Sequence, residues 1–217
     1  YGSYPDILYR TEDVKELLLG LTDSYLFKDI LAMQEVRKPE QLNKLLVALA
    51  LQVGSEVSYN EVAQAIQSDT KTVERYISLL EQCFVIFRLS GLNRNLRTEL
   101  KKGKKFYFYD NGIRNAILQN FAPLSLRQDA GALWENFFVA ERLKFNLYNR
   151  RFVKSYFWRT QQQQEIDLVE EMDGAFYAFE LKWNENRRAT FPEPFLASYQ
   201  PKATHVVSPK NHIDFLR

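Results

Sequence analysis

The spacing of apolar positions switches between helical and strand periods along this chain, and the switches mark its organisation. Val14, Leu17, Leu18 and Leu21 recur at helical spacing and predict a helix starting near Thr11. Asp23 or Ser24 can restart it, through Tyr25, Leu26, Phe27, Lys28, Asp29, Ile30 and Leu31. Pro39 and Glu40 open the next helix, which carries Leu42, Leu45, Leu46, Leu49 and Ala50 up to a stop at Gly54. Ser58-Tyr59-Asn60-Glu61 is a capping box: serine oxygen and glutamate carboxylate each satisfy an N–H that the first helical turn leaves unpaired. It begins a short helix, Tyr59 to Ile66. A polar turn at Gln67-Ser68-Asp69 leads into a longer helix, Thr70 to Gln82, with Val73, Tyr76, Ile77, Leu79 and Leu80 along it. Two short helices joined by a tight polar turn describe a helix-turn-helix.

The period then drops to two. Phe84 to Leu89 reads as a strand and Lys105 to Tyr109 as its return, the arrangement of a winged helix. Asp110-Asn111-Gly112 ends that strand, and a helix follows from Ile113 towards Gln119. Pro123 and the polar stretch to Gln128 look like a linker, which places a domain boundary near 122–129. Beyond it the pattern predicts a helix from Asp129 to about Tyr148, with Trp134, Phe137, Phe138 and Phe145 as its apolar stripe. Strands follow at Phe152–Trp158, Glu165–Glu170 and Ala175–Lys182, then a helix at Pro192–Tyr199 and a last strand at Ala203–Ser208. Asp173-Gly174 between two apolar runs is a hairpin signal. The expected fold class is α+β or α/β. Residues 1–38 form a helical lead-in, 39–122 a winged-helix domain, and 129–217 a domain ordered helix, three strands, helix, strand.

Charge changes the picture locally rather than globally. The 217 residues carry a net charge of +2, but residues 91–105 hold Arg94, Arg97, Lys101, Lys102, Lys104 and Lys105 against Glu99 alone, a local excess of five positive charges. A basic hairpin beside a helix-turn-helix predicts phosphate contacts, with Lys71 and Arg75 one turn apart on the second helix adding to them. The expected partner is DNA. The alternative is a protein-docking module with a solvated lysine-rich loop, since no side chain here announces base readout. One cysteine, Cys83, excludes an internal disulfide and is expected to be a buried small hydrophobe in a reducing compartment. Two histidines and one cysteine exclude a zinc site. No apolar run approaches the roughly 18 residues of a membrane span, and no secretory pattern opens the chain. The expectation is a cytoplasmic chain with no membrane partner. It starts at Tyr1 without a methionine, as a piece of something longer would.

The candidate chemistry lies between Glu165 and Lys182. Strand alternation puts Asp167 on the face opposite Ile166 and Leu168, and puts Glu180 and Lys182 on one face of the next strand. Two carboxylates and a lysine on one sheet patch are what a divalent-metal phosphodiesterase requires. On the bland reading, the same residues are a solvated Glu–Lys pair of little energetic weight.

The order of elements, with its acids where they fall, resembles the PD-(D/E)XK (restriction-endonuclease-like) fold, an αβββαβ domain. The resemblance implies a glutamate on the first helix, an aspartate on the second strand and a Glu-x-Lys on the third. Glu135, Asp167, Glu180 and Lys182 match those positions as catalytic residues, with Asp167, Glu180 and Glu135 as metal ligands. It further implies Mg²⁺ or Mn²⁺ as cofactor, the Leu181 carbonyl as an additional oxygen, Lys182 as orienter of water or stabiliser of developing charge, and Glu135 as an outer ligand or base. The whole chain is also similar to the C-terminal region of bacterial and archaeal AAA-type ATPases, in which a winged helix and a nuclease-like domain of unassigned function follow the P-loop module. The matching stretches are Tyr4-Pro5-Asp6, Tyr25 to Ile30, Thr72 to Tyr76, Phe106 to Gly112, Leu133 to Asn136, Glu165-Ile166-Asp167 and Phe179 to Lys182. No Gly-x-x-x-x-Gly-Lys-Ser/Thr run occurs here. ATP binding, on this resemblance, belongs to an N-terminal ATPase module that would be this chain's partner within the longer protein. A non-catalytic docking module with a degenerate nuclease-like fold is the competing expectation.

Overall fold

Polar caps and prolines start the helices of a computed structural model that describes residues 2–9, 12–22, 30, 36, 38–93, 103–187 and 189–217. It is a mixed α+β protein that divides into two compact units: residues 1–88 with 106–127, and residues 89–105 with 128–217.

The first unit contains α1 (Pro5–Leu8), α2 (Val14–Gly20), α3 (Pro39–Leu51), the short β1 (Glu56–Val57), α4 (Tyr59–Ala65), α5 (Thr70–Gln82) and α6 (Asn111–Ile117). Several starts have a local cause. Pro39 occupies the first turn of α3, where its missing N–H costs nothing. Ser58 Oγ accepts the Glu61 N–H at 3.4 Å, and Asp69 accepts the Thr72 N–H at 2.9 Å. Asp110 accepts from both Gly112 and Ile113 at the start of α6. Leu42, Leu45, Leu46 and Leu49 of α3 and Val73, Tyr76, Ile77 and Leu80 of α5 are buried. Buried Arg114 of α6 donates from Nε to the Ala50 carbonyl, closing the end of α3. Cys83 departs from its expected burial. α5 ends at Gln82, so the cysteine leaves the apolar stripe and is only half-buried. Phe84, expected to start a strand, adopts φ 54° and is 72% exposed. The expected helix Tyr25–Leu31 falls, apart from the buried Ile30, outside the described residues.

β2 (Ile86–Gly91) and β3 (Lys104–Phe108) each begin in one unit and end in the other. The second unit adds α7 (Ala130–Tyr148), β4 (Lys154–Arg159), β5 (Glu165–Met172), β6 (Ala175–Leu181), α8 (Glu193–Tyr199) and β7 (Ala203–Val207). This is the expected order of helix, three strands, helix, strand. The seven strands make a mixed sheet in the order β1-β3-β2-β4-β5-β6-β7. β4–β5 and β5–β6 are antiparallel, whereas β2–β4 and β6–β7 are parallel. The β5–β6 hairpin closes on Asp173-Gly174 with φ of 53° and 78°, the left-handed pair that a two-residue turn between twisted strands requires. One face of the unit's sheet buries Tyr156, Trp158, Ile166, Val169 and Ala178 with Phe195 of α8. On the other, Phe138 of α7 packs on Phe179 with ring centroids 6.1 Å apart.

One irregularity matters for function. Tyr156 pairs with Val169 and Trp158 with Ile166, so Phe157 of β4 faces two residues of β5, Asp167 and Leu168. That is a β-bulge, and the strict alternation expected around Asp167 is broken by it.

Candidate functional site

The bulge releases Asp167 from the regular ladder. Its Oδ2 accepts the Leu181 N–H at 2.7 Å, so a side chain serves as the acceptor for the end of β6. Glu180, on β6, is 6% exposed. Lys182 follows the strand end, anchored by its N–H to the Val207 carbonyl at 2.8 Å. Its ammonium donates to Glu180 Oε2 at 2.7 Å and lies 4.0 Å from Asp167 Oδ2. Three of the four expected catalytic residues thus converge: Asp167, Glu180 and Lys182. Glu180 Oε1 is buried with no hydrogen-bond partner among the described residues.

Electrostatics follow from that crowding. Burial pushes the Glu180 carboxyl up to about 7, the Asp167 charge adds to the push, and Lys182 opposes it. Asp167 is also raised by burial, against the Leu181 N–H and the charges of Lys105 and Lys182. Between the usual carboxylate value of 4.5 and about 7, native Glu180 holds a proton that the unfolded chain has released. Its contribution to stability is therefore fully present below 4.5 and lost as the pH rises through 7. A Glu180→Gln variant is expected to be more stable than the native protein at pH 8, by roughly 2 kcal/mol, with the advantage gone at pH 4. Urea unfolding at the two pH values measures it.

Glu135, on α7, meets a different ammonium. Its Oε1 is 3.3 Å from Lys105 Nζ, and the same ammonium pairs with Glu165. Among the described residues no group of three or more His, Cys, Asp or Glu side chains is placed to hold a metal ion. The expected ligand set of Glu135, Asp167 and Glu180 is thus not gathered as one three-acid group. Lys105 requires a correction of its own. Expected on a phosphate-contacting hairpin, its side chain is 2% exposed, with the Phe157 ring 5.4 Å from its Nζ. Burial pulls the ammonium's pKa down, but Glu135 and Glu165 outweigh it, leaving the value raised and the group charged.

Of the other basic residues, Lys71 and Arg75 are exposed on α5, the Arg75 guanidinium 5.3 Å from the Tyr76 ring centroid. Lys104 is half-buried. Arg94, Arg97, Lys101 and Lys102 lie outside the described residues. Trp134 and Trp158 are buried in packing, as their apolar stripes predict, but Trp183 is 41% exposed beside Lys182. Sequence reasoning missed the roles of Lys105 and Glu165. A lysine set against the aromatic run Phe106 to Tyr109 was a usable sign that it faces inward.

Comparison with known proteins gives two domain matches. A domain of unknown function, DUF8612, matches residues 1–124, and a second, DUF4143, matches residues 130–216. An uncharacterized protein of Mycobacterium tuberculosis is 31% identical over 166 residues, covering 75% of this chain and 36% of the relative. A counterpart in Mycobacterium bovis gives the same values. An uncharacterized protein of Haemophilus influenzae is 28% identical over 120 residues, 52% of this chain and 30% of its own length. The chain thus spans about a third of the length of the curated relatives it matches. No solved structure matches it.

Proposed function

We propose a function from one premise: the chain belongs to the DUF8612 family, whose match over residues 1–124 covers more than half of it. The second matched domain, DUF4143, is commonly found with AAA ATPases. On our reading, the chain is the C-terminal portion of such an ATPase. Its first unit is a winged helix that contacts DNA, and its second is a PD-(D/E)XK nuclease-like domain that hydrolyses phosphodiester bonds with Mg²⁺ or Mn²⁺.

The observation that carries this reading is the convergence of Asp167, Glu180 and Lys182, with Glu180 Oε1 left unsatisfied in a buried position. A buried carboxylate oxygen without a donor calls for an explanation, and a hard cation supplies one. The donor set fits Mg²⁺, which is commonly held by one or two carboxylates while waters and substrate phosphate complete the octahedron. When bound, such an ion polarises a phosphodiester oxygen and lowers the pKa of water. Lys182 faces both carboxylates and, 25% exposed, keeps a positive charge where charge develops on the phosphoryl group. Glu135, tied to Lys105, receives no ligand role.

Calorimetric titration of the 217-residue chain with Mg²⁺ or Mn²⁺, together with cleavage of plasmid, branched and single-stranded DNA, tests the reading. Metal binding with metal-dependent cleavage is expected. No heat and no cleavage of any substrate would overturn it. A second reading, a docking module without catalysis, draws on Lys105, which pairs with two of the local acids from within the protein. It predicts no salt-dependent DNA affinity, whereas steep salt dependence favours the first.

A further inference from the structure

We infer that Lys105 is a built-in counter-cation standing where a second divalent ion would otherwise be needed, so that this site takes one metal ion and not two. The inference rests on the metal-dependent reading above and specifies its stoichiometry.

Four carboxylates gather around the end of β5 and β6: Glu135, Glu165, Asp167 and Glu180. They divide into two pairs by the cation each pair meets. Asp167 and Glu180 meet Lys182, at 4.0 and 2.7 Å. Glu135 and Glu165 meet Lys105. The two lysines differ in access, with Lys182 25% exposed and Lys105 2% exposed. An ammonium that deep loses its hydration, a cost that only paired carboxylates offset. Lys105 is therefore a fixed internal charge, not a surface lysine that water or phosphate can draw away.

Phosphodiesterases with two metal ions hold them about 3.5–4 Å apart on shared carboxylates, to balance acids and substrate together. Here the balance closes with one. Among the described residues, with every carboxylate ionised, four acids face Lys105, Lys182 and Arg159, whose Nε is 3.7 Å from Glu165 Oε2, a net of one negative charge. One divalent ion and one phosphodiester then bring the cluster to neutrality. A second divalent ion would find Glu135 and Glu165 already occupied. The oxygen without a donor, Glu180 Oε1, belongs to the other pair.

Titration of the full chain with Mn²⁺, read by calorimetry and by the electron paramagnetic resonance of free Mn²⁺, tests this. The native protein is expected to bind one ion. Lys105→Met, which keeps the aliphatic stem and deletes the charge, is expected to bind two and to gain thermal stability with Mn²⁺. Lys105→Arg, which restores the charge, should return to one. In Lys105→Met combined with Glu135→Gln and Glu165→Gln, the second ion should be lost and the first kept. Two ions on the native chain, or one at most on Lys105→Met, overturns the inference while leaving the metal-dependent reading intact. So does a Lys105→Met chain that stays unfolded in millimolar Mn²⁺, because the ion should replace the missing ammonium. A native chain that binds no Mn²⁺ overturns both.

Discussion

An Asp167→Ala variant is expected to lose divalent-ion binding and to cut DNA about 10²–10³-fold more slowly than the native chain. The size follows from what the side chain does twice over. It provides one of the two carboxylates of the proposed metal site, and it accepts the Leu181 N–H that ends β6. Lys182→Ala is expected to slow cleavage by a similar factor for a different reason. Removing the ammonium leaves both carboxylates in place and strengthens their pull on a cation, so metal binding persists while the charge opposite the phosphoryl group is gone. The two variants therefore part on calorimetry and agree on cleavage. If cleavage persisted at the native rate in both, these residues would not be the site. Equal loss of metal binding in both would instead assign Lys182 to holding the carboxylates alone.

The largest effect on stability is expected at Glu170→Ala. Glu170 of β5 is 1% exposed and takes a two-pronged pair of hydrogen bonds from Arg142 of α7, Nε to Oε1 at 2.9 Å and Nη2 to Oε2 at 2.8 Å. Asn146 Nδ2 adds a third at 2.6 Å, and Arg142 Nη1 donates to the Phe215 carbonyl, tying down the end of the chain. Alanine would strand a buried guanidinium, a loss of about 3–5 kcal/mol. For a chain of this length, that lowers the melting temperature by on the order of 10 °C. The pair itself is a weaker asset than its breakage suggests. Replacing both partners together, Glu170→Leu with Arg142→Met, should recover most of the loss. Urea unfolding of the single and double variants separates the two effects, and equal destabilisation in each would refute the account.

These networks show where sequence reasoning reached and where it stopped. The capping box at Ser58–Glu61, the Asp173-Gly174 hairpin and the helix Thr70–Gln82 were readable because each is decided within one or two turns of chain. The strand patterns at 154–159, 165–172 and 175–181 were readable to within about two residues, because alternation against a buried face leaves a period of two. Asp167, Glu180 and Lys182 were found from the same period and from the resemblance. The bulge at Asp167-Leu168 was not, because an extra residue in one strand is defined only against its partner. Nor was the role of Glu170, a carboxylate in an apolar strand whose partners lie 24 and 28 residues away.

By itself, then, the sequence determined the elements, their order and the corner where β5 and β6 bring two acids and a lysine together. Those depend on local propensity, capping and periodicity. Only the tertiary structure decided the charges that meet there. Lys105 and Glu165 belong to strands far apart in the chain, and no local pattern pairs them. Bringing β3 and β5 to one place removes the water around Lys105, and a buried ammonium must then find carboxylates. That long-range desolvation turns a lysine of a basic hairpin into the internal partner of Glu135 and Glu165.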